Sequence, residues 1–202
     1  MLQTRQEIWV TTHMRPLVTV FTPTFNRAHA LPNLYESLKR QTDQDFEWLV
    51  IDDGSTDDSA ALLRGMSAGD QGFELRFHTV PNGGKPRAIT MASRMARGEF
   101  LLIVDSDDYL VDEAIELVRS WIPPALSEPR CVGVGAIRWV DTQQAPPRIP
   151  VPRGESFVRC TNLDRMKSGI LGEMNEAYRV DVLKQYPFRV WPGENFVPEQ
   201  VV

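Results

Sequence analysis

Four short apolar runs, each followed by a stretch with helical spacing, set the strongest limit on what this chain can fold into. The runs are "LVTVFTP" (17–23), "FEWLVIDDGS" (46–55), "LRFHTV" (75–80) and "FLLIVDSDD" (100–108). Between them, "ALPNLYESLKRQT" (30–42) puts Leu31, Leu34, Tyr35 and Leu38 on one helical face. Asp57 to Met66 turns Ala60, Leu62 and Leu63 inward, and "KPRAITMASRMARG" (85–98) closes at Gly98. "DEAIELVRSWI" (112–122) comes next as a fourth helix, with Pro123 and Pro124 as its expected stop. Strands this short and apolar are buried on both faces, and helical crossovers make neighbouring strands parallel. The expected fold class is therefore α/β, with a mixed, mainly parallel sheet and helices on both faces.

Beyond Pro123 the pattern is less regular. "CVGVGAIRWV" (131–140) reads as a strand, 141–155 as a proline-rich loop or irregular hairpin, and 160–170 and 176–186 as helices. The expected division is an extension at 1–13, an α/β half at 14–122 and a second half at 123–202. "MLQTRQEIWVTTH" differs in character from the rest of the chain and is expected to be an extension or a mis-assigned start. The end, "GENFVPEQVV", has no closing helix, and a truncation there is expected. A net charge of −5 and a pI near 5.3 argue against nucleic-acid binding through bulk charge. Cys131 and Cys160 stand alone, which suggests neither a disulfide framework nor a zinc site. No apolar run approaches the roughly 18 residues of a membrane span.

Three of the four strands end in unusual residues: "TPTFNRA", "DDGSTDDS" and "DSDD". In a parallel sheet these ends share one edge, where α/β proteins bind ligands. Asp105, Asp107 and Asp108 form a like-charge cluster that folding alone does not favour. Asp105 and Asp107 are two apart, so in extended backbone both can reach one metal ion. The competing reading is an N-terminal cap for the helix at 112–122, which needs one aspartate and suits Asp108. In "IDDGSTDDS", Gly54 permits a tight turn and Ser55 or Thr56 can cap the next helix, which leaves Asp52 and Asp53 to be explained. "PNGGKPRA" (81–88) is not a Walker loop, because Thr79 and Pro86 stand where Gly and Ser or Thr are needed. Lys85 and Arg87 can attract a diphosphate there, or simply be solvated.

Taken together, "VTVFTPTFNRAHALPNLYESLKRQT", "FEWLVIDDGSTDDS", "NGGKPRAIT", "ARGEFLLIVDSDD", "EAYRVDVLKQYPF" and "GENFVPE" occur in an order that resembles the family 2 glycosyltransferases. The resemblance runs from Val18 to the C-terminus. It implies a GT-A (Rossmann-like) fold and a nucleotide-diphospho-sugar donor, UDP-linked by expectation, with a glycan or lipid-linked acceptor. It implies that Thr22 and Asp53 hold the uracil–ribose end, and that Pro23, Lys85, Asp105 and Ser106 belong to the donor site. Asp105 and Asp107 become the DxD pair for Mg²⁺ or Mn²⁺, with Asp107 the more direct ligand. Inversion at the anomeric carbon needs a base on the acceptor hydroxyl; by position Glu199 is the first candidate and Glu194 the second. The resemblance also implies a cytoplasmic location with peripheral association at the inner membrane face. Two alternatives stay open at this point: a non-catalytic donor-binding fragment, and a haloacid-dehalogenase-type phosphatase whose first aspartate is a nucleophile.

Overall fold

The computed structural model describes residues 15–137, 158–161, 164, 165, 167, 170 and 174–188. Its elements are β1 (Val18–Thr24), α1 (Leu31–Lys39), β2 (Phe46–Asp52), α2 (Ser59–Ser67), β3 (Glu74–Thr79), α3 (Lys85–Met95), β4 (Phe100–Ile103), α4 (Ala114–Leu126), β5 (Gly133–Ile137), β6 (Met174–Arg179) and α5 (Val180–Gln185). They form one six-stranded sheet in the order β3-β2-β1-β4-β6-β5. The strands β3, β2, β1 and β4 are parallel, and β6 runs antiparallel to both β4 and β5. The mixed, mainly parallel α/β fold expected from the sequence is what forms.

Period-2 alternation along the strands divides the core into two faces. Val18, Val20, Trp48 and Val50 face α1, α2 and α4, where Leu31, Leu34, Leu63 and Ile115 pack. Phe21, Leu49, Ile51 and Leu101 face α3 and α5, where Ala88, Ile89, Ala92 and Leu183 pack. Each central strand is therefore apolar on both sides, as the continuous runs required.

The second half departs from expectation. α4 does not stop at Pro123 and Pro124 but carries both inside its last turns. A proline costs a helix interior about 3 kcal/mol, and here Ile122 and Ala125, both buried in the core, oppose that cost. The segment 176–186 is not one helix. Met174–Arg179 is a strand, because Ala177 is buried where β6 pairs with β4, and only Val180–Gln185 is helical. The helix expected at 160–170 lies partly outside the described residues; within it the Asp164 and Arg165 amides both donate to the Thr161 carbonyl in a turn. The strand at 131–140 is described from Gly133 to Ile137, and both 1–14 and the proline-rich 141–155 lie outside the described residues.

One charged residue hidden in an apolar run turns out to organise the sheet. Glu47 of β2 is 1% exposed. Its Oε1 accepts from the Thr19 hydroxyl at 2.6 Å and the Arg97 amide at 2.7 Å. Its Oε2 accepts two bonds from the Arg76 guanidinium, at 3.0 and 2.7 Å. Arg76 also donates to the Met95 carbonyl at 2.9 Å, and Thr19 Oγ1 accepts from the Gly98 amide at 2.9 Å. β1, β2, β3 and the end of α3 are tied through one carboxylate. Glu47→Ala strands a largely buried guanidinium and a part-buried amide, so we expect a loss of about 3 kcal/mol. A lowered urea midpoint at unchanged m-value is the measurement that checks it.

Candidate functional site

The parallel register sets the C-terminal ends of β1, β2 and β4 side by side: Thr24 pairs with Asp52, and Phe21 with Ile103. The chain leaves β1 towards β2 and β3, then crosses back to β4 on β1's other side. That reversal opens a crevice beyond β1 and β4, the place where open α/β sheets bind ligands.

Two loops rim the crevice and are stitched together. Asn26, at φ 53°, turns the β1–α1 loop so that its Oδ1 accepts from the Thr56 amide at 2.7 Å. The Asn26 amide donates to Ser55 Oγ at 2.9 Å, the Arg27 amide to Ser59 Oγ at 3.1 Å and the Ala28 amide to Asp57 Oδ2 at 3.0 Å. Hydrogen bonding from the Ser59 hydroxyl, then from the Ala28 amide, holds the Asp57 carboxyl below its ordinary pKa. Ser55 and Thr56 do not cap α2, as the sequence suggested; they bind the neighbouring loop instead, and Asp57 Oδ1 receives the Ser59 amide at 3.0 Å.

Asp52 and Asp53 both work locally. Asp52 accepts from the Ser55 amide at 3.0 Å and the Thr79 hydroxyl at 3.1 Å. Asp53, 7% exposed, accepts from the Gly83 amide on one oxygen and the Gly84 amide on the other, each at 2.8 Å. The Asn82 side chain adds a bond to the Asp53 carbonyl at 3.0 Å. The Gly83 and Gly84 amides of the "NGGK" loop are thus spent on Asp53. Gly54 sits between, at φ 79°, where a Cβ would lie 2.9 Å from the Asn82 nitrogen.

Lys85 succeeds Gly84 as the first residue of α3, and its Nζ lies 2.7 Å from Asp105 Oδ1. Arg27, from the stitched loop, reaches Asp107 Oδ2 at 3.9 Å across the crevice. Asp105 and Asp107 do not continue β4 as extended backbone. The Asp108 amide donates to the Asp105 carbonyl at 3.0 Å and closes a turn, so strand alternation does not govern this pair. Nor do these aspartates cap α4, whose N-cap is Glu113. Ser106 is buried inside the turn.

Of the other expected residues, Thr22 is fully buried and its Oγ1 accepts from Trp48 Nε1 at 3.0 Å. Its hydroxyl belongs to the α1-side core, while Pro23, one residue on, alternates to the α3 side and is half-buried. On that side a cavity of about 200 Å³ is lined by Asp53, Val80, Pro81, Arg87 and Met91. Sites that enclose a drug-sized ligand run to roughly 300–1,000 Å³, so this cavity suits one ring or group of a larger molecule. Glu194 and Glu199 lie outside the described residues.

Among the described residues no three His, Cys, Asp or Glu side chains cluster as a metal site. Asp105 and Asp107 are hard oxygen donors, 27% and 59% exposed, and each already attracts a cation. Two carboxylates make a partial set for Mg²⁺ or Mn²⁺, which favour six oxygens. They fit an ion whose remaining ligands come from a bound diphosphate and water, and they fit an ion held by protein alone poorly.

Asp53→Asn keeps the shape but sets an NH₂ group against a backbone amide. We expect a loss of about 1–3 kcal/mol of stability. Amide exchange at Gly83 and Gly84 should accelerate by more than the global change explains; exchange that rises only in step with global stability would remove the clamping role.

Comparison with known proteins fits this geometry. Residues 19–186 match the family described as Glycosyl transferase family 2. A chondroitin synthase of Pasteurella multocida is 33% identical over 105 residues, 52% of this chain and 11% of that relative. The glycosyltransferase GlyG of Streptococcus pneumoniae is 34% identical over 103 residues, 51% of this chain and 34% of that relative. The chain thus spans about a tenth to a third of these relatives. Among solved structures, residues 1–349 of S. aureus TarS superpose with a TM-score of 0.63 at 24% identity, covering 83% of this chain and 48% of that one. The mannosyltransferase PcManGT of Pyrobaculum calidifontis, solved with GDP-Man and Mn²⁺, gives 0.61 at 22% identity, covering 87% and 48%. These likenesses show the fold, which is of the GT-A type.

Proposed function

The chain belongs to glycosyl transferase family 2, and on that premise we propose that it binds a nucleotide-diphospho-sugar and passes the sugar to a hydroxyl of a glycan or lipid-linked acceptor. The observation that carries this reading is the meeting of Asp53, Lys85, Asp105 and Asp107 at one sheet edge, with Lys85 Nζ 2.7 Å from Asp105. The phosphatase alternative has no support in this family.

The nucleoside end enters on the α3 side, beside Pro23 and Asp53, and one ring occupies the cavity by Val80, Arg87 and Met91. Both Asp53 oxygens keep a second lone pair, so the carboxylate can hold a ribose or base edge while it grips the loop. Thr22 contributes no hydroxyl to that wall, because its Oγ1 accepts from Trp48 Nε1 on the α1 side of the sheet. Lys85, Asp105 and Asp107 receive the diphosphate region. A Mg²⁺ or Mn²⁺ ion held by Asp105 and Asp107 would neutralise charge on the departing nucleoside diphosphate. Ser106, buried in the turn, sets the carboxylates' positions. Inversion by single displacement needs a carboxylate to take the acceptor proton, and we assign that role to Glu199, with Glu194 the second candidate. Relatives named for this family include a glucosyltransferase acting on an undecaprenol-linked glycan. A lipid-linked acceptor would bring this chain to a membrane surface; no helix among its described residues is long and apolar enough to cross one.

Calorimetry tests the metal. UDP should bind with Mn²⁺ and much more weakly with EDTA, and Asp107→Ala should remove most of that difference; equal affinity with chelator sinks the metal role. A thermal-shift panel tests the base. A site that hydrogen-bonds a base edge rejects ligands that leave its polar atoms unpaired, so UDP should stabilise the chain more than ADP or GDP. Equal shifts with all of them would argue against the assigned base contacts. Glu199→Gln should abolish transfer, read as UDP release with acceptor present, while donor binding persists.

A further inference from the structure

The residues between β1 and α1 belong to no helix or strand, and the loop after β2 is what holds them. Three successive amides each donate to a different side chain there: Asn26 to Ser55 Oγ, Arg27 to Ser59 Oγ and Ala28 to Asp57 Oδ2. The return bonds converge on one atom. Asn26 Oδ1 accepts from the Thr56 amide at 2.7 Å, and from the Thr56 hydroxyl and the Asp57 amide, each at 3.3 Å. Asn26 does this from the left-handed region, at φ 53°, and among the described residues no other non-glycine has a positive φ. Asparagine tolerates that region better than most side chains do. Glycine would allow the backbone but bring no acceptor, and alanine would bring neither. These bonds are exposed or half-buried, while the core beneath is filled independently by Leu31, Leu34 and Leu63. What the bonds decide is where Phe25 and Arg27, both exposed, stand at the crevice.

We propose that Asn26 is a positioning residue for the donor: it latches the β1–α1 and β2–α2 loops into one rim before the nucleotide arrives, so that the crevice is formed in advance. This rests on the donor-binding reading above and deepens it. A ligand that binds only the latched rim meets an affinity reduced by the fraction of molecules in which the rim is latched. With six bonds running both ways between the loops, that fraction is close to one, and binding orders little backbone. Without the Asn26 acceptor, the Thr56 and Asp57 groups turn to water. The loop then samples other positions, and each binding event has to order it again. Asn26 touches no reacting atom in this account. It acts through the placement of its neighbours, Phe25 before it and Arg27 after it.

The test compares UDP affinity of the full chain, by calorimetry with Mn²⁺ present, against the urea midpoint and amide exchange of the same variants. Asn26→Gly keeps the left-handed backbone and loses the acceptor. It should bind UDP about tenfold more weakly, as a rim latched one time in ten requires, and exchange faster at Arg27, Ala28 and Thr56, with the urea midpoint little moved. Asn26→Asp, which keeps both the acceptor and the tolerance for positive φ, should recover most of that loss. Asp57→Ala frees the Ala28 amide from the other side and should show the same signs at about threefold; it guards against an Asn26 variant that fails to fold. Because both act on one latch, the double variant should lose less than the product of the two. If Asn26→Gly and Asp57→Ala exchange faster in the loops yet bind UDP as the parent does, the positioning role is wrong and the donor-site reading stands. A urea midpoint that collapses together with UDP affinity marks a role in folding alone and overturns the proposal as well. If the parent itself binds no UDP, the donor-site reading fails and this inference falls with it.

Discussion

Two carboxylates on one strand hold α3 by its two ends, and the site depends on that arrangement. Glu47, near the start of β2, accepts the Arg97 amide just past the helix, with Arg76 bridging to the Met95 carbonyl. Asp53, just past the end of β2, accepts the Gly83 and Gly84 amides at the helix entry. Six residues of strand span about 20 Å, and the 11 residues of α3 span about 16 Å, so strand and helix are matched in length with a short turn at each end. The polarity is also right. The carboxylate of Asp53 sits at the positive end of the helix dipole, and at the negative end Glu47 acts through the Arg76 cation. With apolar packing of Ala88, Ile89 and Ala92 on Phe21, Leu49 and Ile51 between the two clamps, α3 has little freedom to slide.

That rigidity reaches the chemistry through one covalent step. Asp53 fixes Gly84, Gly84 precedes Lys85, and Lys85 meets Asp105 at the end of the adjoining strand. On the other side of the crevice the stitching of Asn26 to Thr56 and of Arg27 to Ser59 sets where Arg27 points. Lys85 and Arg27 are therefore both carried by segments whose backbone amides are already bonded elsewhere. Mobility is left to the side-chain stems, while the frame that carries them stays put.

Much of this was legible in the sequence. The four apolar runs supply the parallel strands, and the acidic strand ends point to one edge. What the sequence hid has physical reasons. Thr22 stands at a strand end, where a ligand contact is expected, but alternation turns it towards Trp48, and only the pairing of β1 with β2 reveals that partner. Asp105 and Asp107 look like an extended pair, but a backbone bond from Asp108 curls them into a turn. Glu47 carried a signal, a charge inside an apolar run, yet its partners Thr19, Arg76 and Arg97 are 28, 29 and 50 positions away. The prolines of α4 obey local propensity only until the burial of Ile122 and Ala125 overrides it.

The like-charge cluster at the end of β4 now has a physical account. Asp105 and Asp107 tolerate each other because Lys85 and Arg27 stand by them, so each of these carboxylates faces a cation. The two acidic side chains are met by one cation from the start of α3 and one from the β1–α1 loop, so charges carried by three separate segments are set against each other at one sheet edge, which is how a strand can run into a like-charge cluster and still fold.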